Sequence, residues 1–326
     1  MSAGAPGGDG GRLEALRLRA RLNRLVREFF DARGVLEVET PVMSRAGNTD
    51  PNIASFSVEF GGRTDGAPRT RWLRTSAEYP MKRLLAEGVG DCYELGRVFR
   101  DGEAGGRHNP EFTMLEWYRV GWPLDRLVEE TAALVGAALG LVGRDVRLRT
   151  TTFRALYQDA LGLDPMTAPL AALQAAFPGR VDPEGLGRDD WLDLLMTHLI
   201  QPGLDAGTLL AVQDYPASQC ALARVVRRGE VEVAERFELY LGPLELANGY
   251  HELTDAGEQR ARFARDLARR RARAEREPPV DEALLAALAA GLPACSGVAL
   301  GIDRLLMAML GTPRIADVLA FDFNRA

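Results

Sequence analysis

Cysteine is scarce in this chain. Its 326 residues include only Cys92, Cys220 and Cys295, far apart and without the paired spacing of a disulfide framework or a metal knuckle. Histidine is as sparse, and the isolated His108, His198 and His251 do not make a zinc site. No apolar run approaches the ~20 residues that a membrane helix needs. The start, MSAGAPGGDGG, has neither a basic opening nor an apolar centre. It is therefore not a secretory signal, and residues 1–11 read as a flexible Gly-rich tail. A reduced cytoplasm is the expected location. Positive charge is in deficit as well: a formal net charge of −6 argues against a surface built for bulk nucleic-acid binding. Of the 40 lysines and arginines only Lys82 is lysine, a bias that a GC-rich genome accounts for. Neither a GxGxxG fingerprint after a first strand nor a GxxxxGK(S/T) loop is present. A bound nucleotide must then be held by arginines and a sheet.

What is present is a long amphipathic pattern broken by short extended runs. Residues 12–33 carry Leu13, Leu16, Leu22, Leu25, Val26, Phe29 and Phe30 on a helical stripe, closed by Gly34. VLEVETP follows as a strand stopped by Pro41. A strand at 71–75, a helix at 79–88 and a hairpin over 92–119 come next. From 123 to about 208 the pattern is mostly helical and reads as an insertion. Strands return at 209–214 and 231–249, with a helix expected at 216–227 between them. A charged helix over 257–276 reads as a solvated face. An Ala/Leu-rich helix at 281–290 precedes GVALGIDRLLMAMLG, a strand running through Gly301 into a helix. Dispersed strands joined by hairpins predict an α+β fold around a mainly antiparallel sheet, with one domain over 12–326.

Three segments carry chemistry. In RDGEAGGRHNPEFTMLEWYR, residues 100–119, Phe112, Met114, Glu116 and Tyr118 fall at period two and share a strand face. An aromatic plate, a carboxylate and a phenol in one row suit a base and an ammonium group, while Arg100 and Arg107 flank a loop fit for phosphate. The same spacing also suits an ordinary amphipathic hairpin with Phe112 and Tyr118 in the core. In RFELYLGPLELANGYHELTD, residues 236–255, a two-residue loop at Leu241-Gly242 would put Glu238 directly across from Glu245. Such a pair repels unless a divalent cation bridges it, and Mg²⁺ favours few carboxylates beside phosphate oxygens. Glu252 follows and can point into the same cavity; a solvated face is the alternative for both glutamates. Arg304, at the start of the last helix with Gly297 and Gly301 leaving room, suits a terminal phosphate, or else Asp303 and Arg304 form a surface pair.

These segments resemble a known family. The first helix with VLEVETP resembles motif 1 of the class II aminoacyl-tRNA synthetases, VFRDGEAGGRHNPEFTMLEWYR resembles motif 2, and GVALGIDRLLM resembles motif 3, in the expected order. HNPEFTMLEWY and ELANGYHELTD look like the lysyl branch. With only the Gly-rich tail before motif 1, and with PASQ at 216–219, the chain is similar to the elongation factor P–(R)-β-lysine ligases, lysyl-synthetase paralogues without the anticodon-binding domain. That resemblance implies ATP and Mg²⁺ as cofactors, and (R)-β-lysine activated as an adenylate. It also implies transfer to a lysine of elongation factor P, a homodimer built on motif 1, and no use of tRNA.

The roles it implies are specific. Arg100 and Arg304 hold phosphates and act catalytically; Asp101, Gly102, Asn109, Phe112, Glu245, Leu246 and Gly301 complete the ATP site. Ser76, Ala77, Glu78, Glu116, Tyr118, Glu252 and Ala299 line the amino-acid site, and Glu238 with Glu245 binds Mg²⁺. Ala299 stands where lysyl-tRNA synthetases usually have Gly, reshaping the pocket for a β-amino acid. The chain departs from the family at Gly102, usually Glu, with Glu103 or Asp101 as substitutes, and at Ala77, usually Pro. Two other functions compete: a lysyl-synthetase-like enzyme charging another acceptor, and a catalytically silent regulator that binds lysine.

Overall fold

The computed structural model describes residues 9–326, so the tail expected over 1–11 lies mostly outside the described residues. The chain divides into two compact units, one comprising the chain up to Gly121 with Thr254–Ala326 and the other Trp122–Leu253.

The first unit opens with α1 (Asp9–Asp31), whose Ala15, Leu18, Leu22, Val26 and Phe30 are buried at the three- and four-residue spacing of one helix face. The motif-1 strand is shorter than its sequence suggests: β1 is only Leu36–Glu37, parallel to β5 and tied by a hydrogen bond from Tyr93 to Glu37. Then come β2 (Met43–Ser44), β3 (Ser57–Glu59) and β4 (Thr70–Leu73), a small antiparallel sheet in the order β2-β4-β3. After α2 (Glu78–Ala86), β5 (Cys92–Phe99) and β6 (Glu111–Val120) form the expected hairpin, in register from Cys92 opposite Tyr118 to Phe99 opposite Glu111. Alternation divides its residues between two faces. Tyr93 and Trp117 turn to α1, with the Phe30 ring 4.4 Å from Tyr93 and 5.4 Å from Trp117. Met114, Glu116 and Tyr118 turn the other way.

The second unit is built on α3 (Leu124–Gly140), β7 (Arg147–Thr152), α4 (Phe153–Leu161), α5 (Leu170–Ala176), α6 (Arg188–Leu195), β8 (Thr208–Pro216), β9 (Val225–Arg228), β10 (Val231–Leu241) and β11 (Leu244–His251). Phe153, Tyr157, Trp191, Leu192, Leu195, Val212 and Tyr240 are among its buried core residues. Two expectations fail here. The stretch read as mostly helical contains β7, where Thr150, Thr151 and Thr152 favour extended backbone and pair in parallel with β8. No helix covers 216–227: a 3-10 turn at Ala217–Gln219 ends where Ala221 takes a positive φ of 44°, and Val225 and Val226 then enter β9.

The chain re-enters the first unit through α7 (Ala256–Ala272), capped by Asp255, whose carboxylate accepts from Glu258 N at 2.7 Å. Its arginines are not all solvated. Arg270 is buried and donates to the carbonyls of Thr49 and Ile53, 2.9 Å each, clamping the 48–53 loop. α8 (Glu282–Gly291) leads to β12 (Cys295–Gly301) and α9 (Ile302–Leu310), and β12 lies antiparallel to β6. The fold is α+β with a mainly antiparallel sheet, as expected. Among the described residues no helix is long and apolar enough to cross a membrane.

Candidate active site

The site-bearing face of the first unit is set by register. Met114, Glu116 and Tyr118 of β6 stand opposite Gly301, Ala299 and Gly297 of β12, and opposite Gly96, Glu94 and Cys92 of β5. The β12 partners are all small, and the three β6 side chains are buried. Glu94 and Glu116 face each other, a like-charge pair that would destabilise the sheet if left alone. Arg74 answers it: the buried guanidinium pairs with Glu94 at 2.5 Å and donates to Thr40 at 2.8 Å, near the end of motif 1. A Cβ at Gly96 would sit 2.3 Å from Arg74 Nη2, so only glycine leaves the cation room.

Glu116 is buried, and it accepts from Ser76 Oγ at 2.5 Å and from Ala77 N at 2.6 Å. Burial pushes its carboxyl up to about 7, against the lowering effect of the Ser76 and Ala77 donors. Ser76 Oγ also accepts from Glu78 N at 3.0 Å. Ser76, Ala77, Glu78 and Glu116 are thus one hydrogen-bonded group. The Glu78 carboxylate is itself engaged, 2.6 Å from the Nζ of Lys82.

Along the same strand, Arg100 places its guanidinium carbon 5.2 Å from the centre of the Phe112 ring, within cation–π range, and lies 3.7 Å from Glu103. Gly102 has φ +79°, a backbone conformation that a glutamate would strain to adopt, and Asp101 N donates to Ala54 O. Asn109 is committed structurally: its amide donates to Glu111 O and its oxygen accepts from Phe323 N. Arg304 does not form a surface pair with Asp303. Arg304 lies 2.7 Å from His108 Nε2, and His108 is held below its usual pKa by burial and then by Arg304, so the neutral ring accepts from the guanidinium. Asp303 is buried, bonded to Arg19 of α1 and accepting from Thr113 N at 2.6 Å.

In the second unit the expected confrontation of Glu238 with Glu245 is absent. Leu241 pairs with Leu244, so Gly242 and Pro243 make the turn, Glu238 faces Asn248 and Tyr240 faces Glu245. A bulge leaves Leu246 without a direct partner and restores Glu238 and Glu245 to the same face. Glu238 is buried among donors: Tyr215 at 2.7 Å, Tyr240 and Arg236. Burial opposes the Arg236 cation, but Glu238 together with Tyr250, Tyr215 and Glu245 outweighs it and holds the guanidinium above its usual pKa. Glu252, just beyond β11, is buried and bridges to Ala223.

Residues 11–325 match the family model of class II tRNA synthetases (D, K and N). The chain is 46% identical over 319 residues to an elongation factor P–(R)-β-lysine ligase of Vibrio cholerae, covering 96% of this chain and 97% of that one. The equivalent protein of Mannheimia succiniciproducens is 44% identical over 316 residues, with 96% of each chain covered. The chain belongs to the class II aminoacyl-tRNA synthetase family. Its likeness to the elongation factor P–(R)-β-lysine ligases spans nearly its whole length. Lys82, Arg74, Asp303, His108 and Arg236 are the partners that sequence reasoning did not assign. Only the i,i+4 spacing of Glu78 and Lys82 could have revealed one of them.

Proposed function

We propose that this protein is a cytoplasmic enzyme that activates (R)-β-lysine with ATP as an aminoacyl-adenylate and transfers the acyl group to a lysine side chain of elongation factor P. The observation that supports it best is the face of β6, where the Arg100–Phe112 plate and the Ser76–Glu78–Glu116 group lie along one strand over Ala299 and Gly301. One end suits a nucleotide, the other a cationic amino acid.

In the first step a carboxylate oxygen of the amino acid attacks the α-phosphorus, the bond to the bridging oxygen breaks, and pyrophosphate leaves. Arg100 stabilises charge on the transferring phosphate, Phe112 stacks the base, and Arg304, aimed by His108, grips the terminal phosphate. Glu78 and Glu116 hold the amines, each carboxylate oxygen having a second lone pair to offer. In the second step the neutral acceptor amine attacks the acyl carbon, AMP leaves with the bonding pair, and the amine proton passes to solvent. Positioning and electrostatics supply the rate, with no covalent enzyme intermediate.

Mg²⁺ would neutralise phosphate charge during adenylation. Two carboxylates suit Mg²⁺, which takes few protein ligands when phosphate oxygens supply the rest. Glu245 and Glu238 share a face suited to it, and Glu238 is pre-set by Arg236 and two tyrosines. A homodimer is supported by Leu36, Val42, Met43, Val58 and Phe60, apolar side chains left exposed on β1 to β3 and their flanks.

ATP–pyrophosphate exchange with (R)-β-lysine and α-lysine tests the reading. It expects (R)-β-lysine to support the faster exchange; a preference for α-lysine, or no exchange with either, defeats it.

A further inference from the structure

The chain's only lysine is not at its surface. Lys82 sits on α2 with its side chain 1% exposed, one helical turn beyond Glu78, and its Nζ lies 2.6 Å from Glu78 Oε1. A primary amine next to carboxylates proposed to bind a substrate's amines needs explaining, since an arginine serves nearly everywhere else in this sequence. We infer that Lys82 is a positioning residue for amino-acid recognition: by holding Oε1 of Glu78 it fixes the carboxylate that receives the substrate ammonium. The inference rests on the assignment of Glu78 to the amino-acid site.

The geometry determines why the pair works as a unit. Glu78 is anchored at its backbone by Ser76 Oγ, and Ser76 is anchored by Glu116, so the start of α2 cannot shift. The side chain would still rotate, because a carboxylate at a helix start has several staggered positions. Lys82 removes that freedom. It occupies one oxygen and leaves the other for a ligand amine. A buried ammonium left without its counter-ion is strongly destabilising, so the two side chains act as a unit. Lysine suits the position better than arginine: it is a compact point charge, whereas a guanidinium fork engages both carboxylate oxygens and leaves none for the substrate.

The test uses the full chain in ATP–pyrophosphate exchange with (R)-β-lysine. Lys82→Met is expected to raise the KM for the amino acid roughly tenfold or more, the usual loss for a charge-assisted bond, and to leave the KM for ATP nearly unchanged. Glu78→Gln should do the same, and the double variant should cost no more than Glu78→Gln alone, because Lys82 acts through Glu78. Lys82→Arg should not restore the amino-acid KM. Additive losses, or an unchanged amino-acid KM in Lys82→Met with a strong effect of Glu78→Gln, would overturn the inference while sparing the Glu78 assignment. An unaffected Glu78→Gln would remove both. Should Lys82→Met fail to fold, ¹⁵N-lysine labelling of the native protein decides. Its one side-chain ammonium resonance should move on adding (R)-β-lysine and stay in place with ATP alone; a resonance indifferent to the amino acid contradicts the inference.

Discussion

Glu116 concentrates the pH behaviour of the proposed site. Its carboxyl titrates at about 7 in the folded chain, above the usual 4.5, so folding takes up a proton between those values. The corresponding stability is complete below about pH 4.5 and lost as pH rises through about 7. Substrate binding works in the opposite sense, since a cationic amine favours the ionised carboxylate. The KM for (R)-β-lysine is therefore expected to fall as pH rises from about 6 to about 8, and Glu116→Gln should flatten the profile. A wild-type profile already flat would remove Glu116 from amine recognition. Ala299, opposite Glu116, is the other residue with a sharp consequence. Ala299→Gly deletes a methyl from the floor of the row, and exchange should then improve with α-lysine relative to (R)-β-lysine; unchanged selectivity counts against its role. Arg100, Phe112, Glu116 and Arg304 of the proposed site were named from the motifs that carry them. Their partners were not. His108 and Arg304 are 196 positions apart, and Thr113 and Asp303 190, so only the folded chain brings them together.

Between elements, the junction of α1, β6 and α9 does the most to shape the phosphate end of that row. One buried carboxylate, Asp303, joins all three through Arg19 and Thr113 N, beside Phe112 in one direction and Arg304 in the other. Asp303→Ala takes the carboxylate from the partly buried Arg19, which still donates to Val318 O, and leaves the Thr113 N–H without its acceptor; it should cost about 2 kcal/mol, read as a lower urea midpoint. The KM for ATP should rise while that for the amino acid changes less; equal changes in both would mean that Asp303 only supports the fold. Sequence placed α1, α2, the β5–β6 hairpin and the β12–α9 junction within a few residues, because helical or alternating periodicity is unbroken there. It failed at the β10–β11 hairpin, where the turn moved to Gly242-Pro243 and a bulge shifted the pairing by one residue. Such irregularities arise from cross-strand packing, which leaves no periodic trace. It failed again at 216–227, where a helix was expected but tertiary pairing of β9 with β10 prevailed.

For the whole molecule the expected assembly is a pair of chains. Leu36, within VLEVETP, is 54% exposed and Met43, just beyond it, 53%, and a monomer would leave them in water. Sedimentation at micromolar concentration should give a dimer, and Met43→Glu should shift it toward monomer. A monomeric wild type would contradict that assembly. The α+β architecture was readable from the order of strands and helices, and the insertion expected from 123 begins beside the start of the second compact unit at Trp122, whereas its expected end at about 208 falls short of Leu253. The central claim is the identity of the acceptor. It is tested most directly by incubating the purified protein, ATP and (R)-β-lysine with elongation factor P in one tube and tRNA in another, then measuring the intact mass of the factor and the label on the tRNA. One added β-lysyl group on a lysine of elongation factor P and no charged tRNA are expected. Label on tRNA with the factor unmodified would contradict the claim.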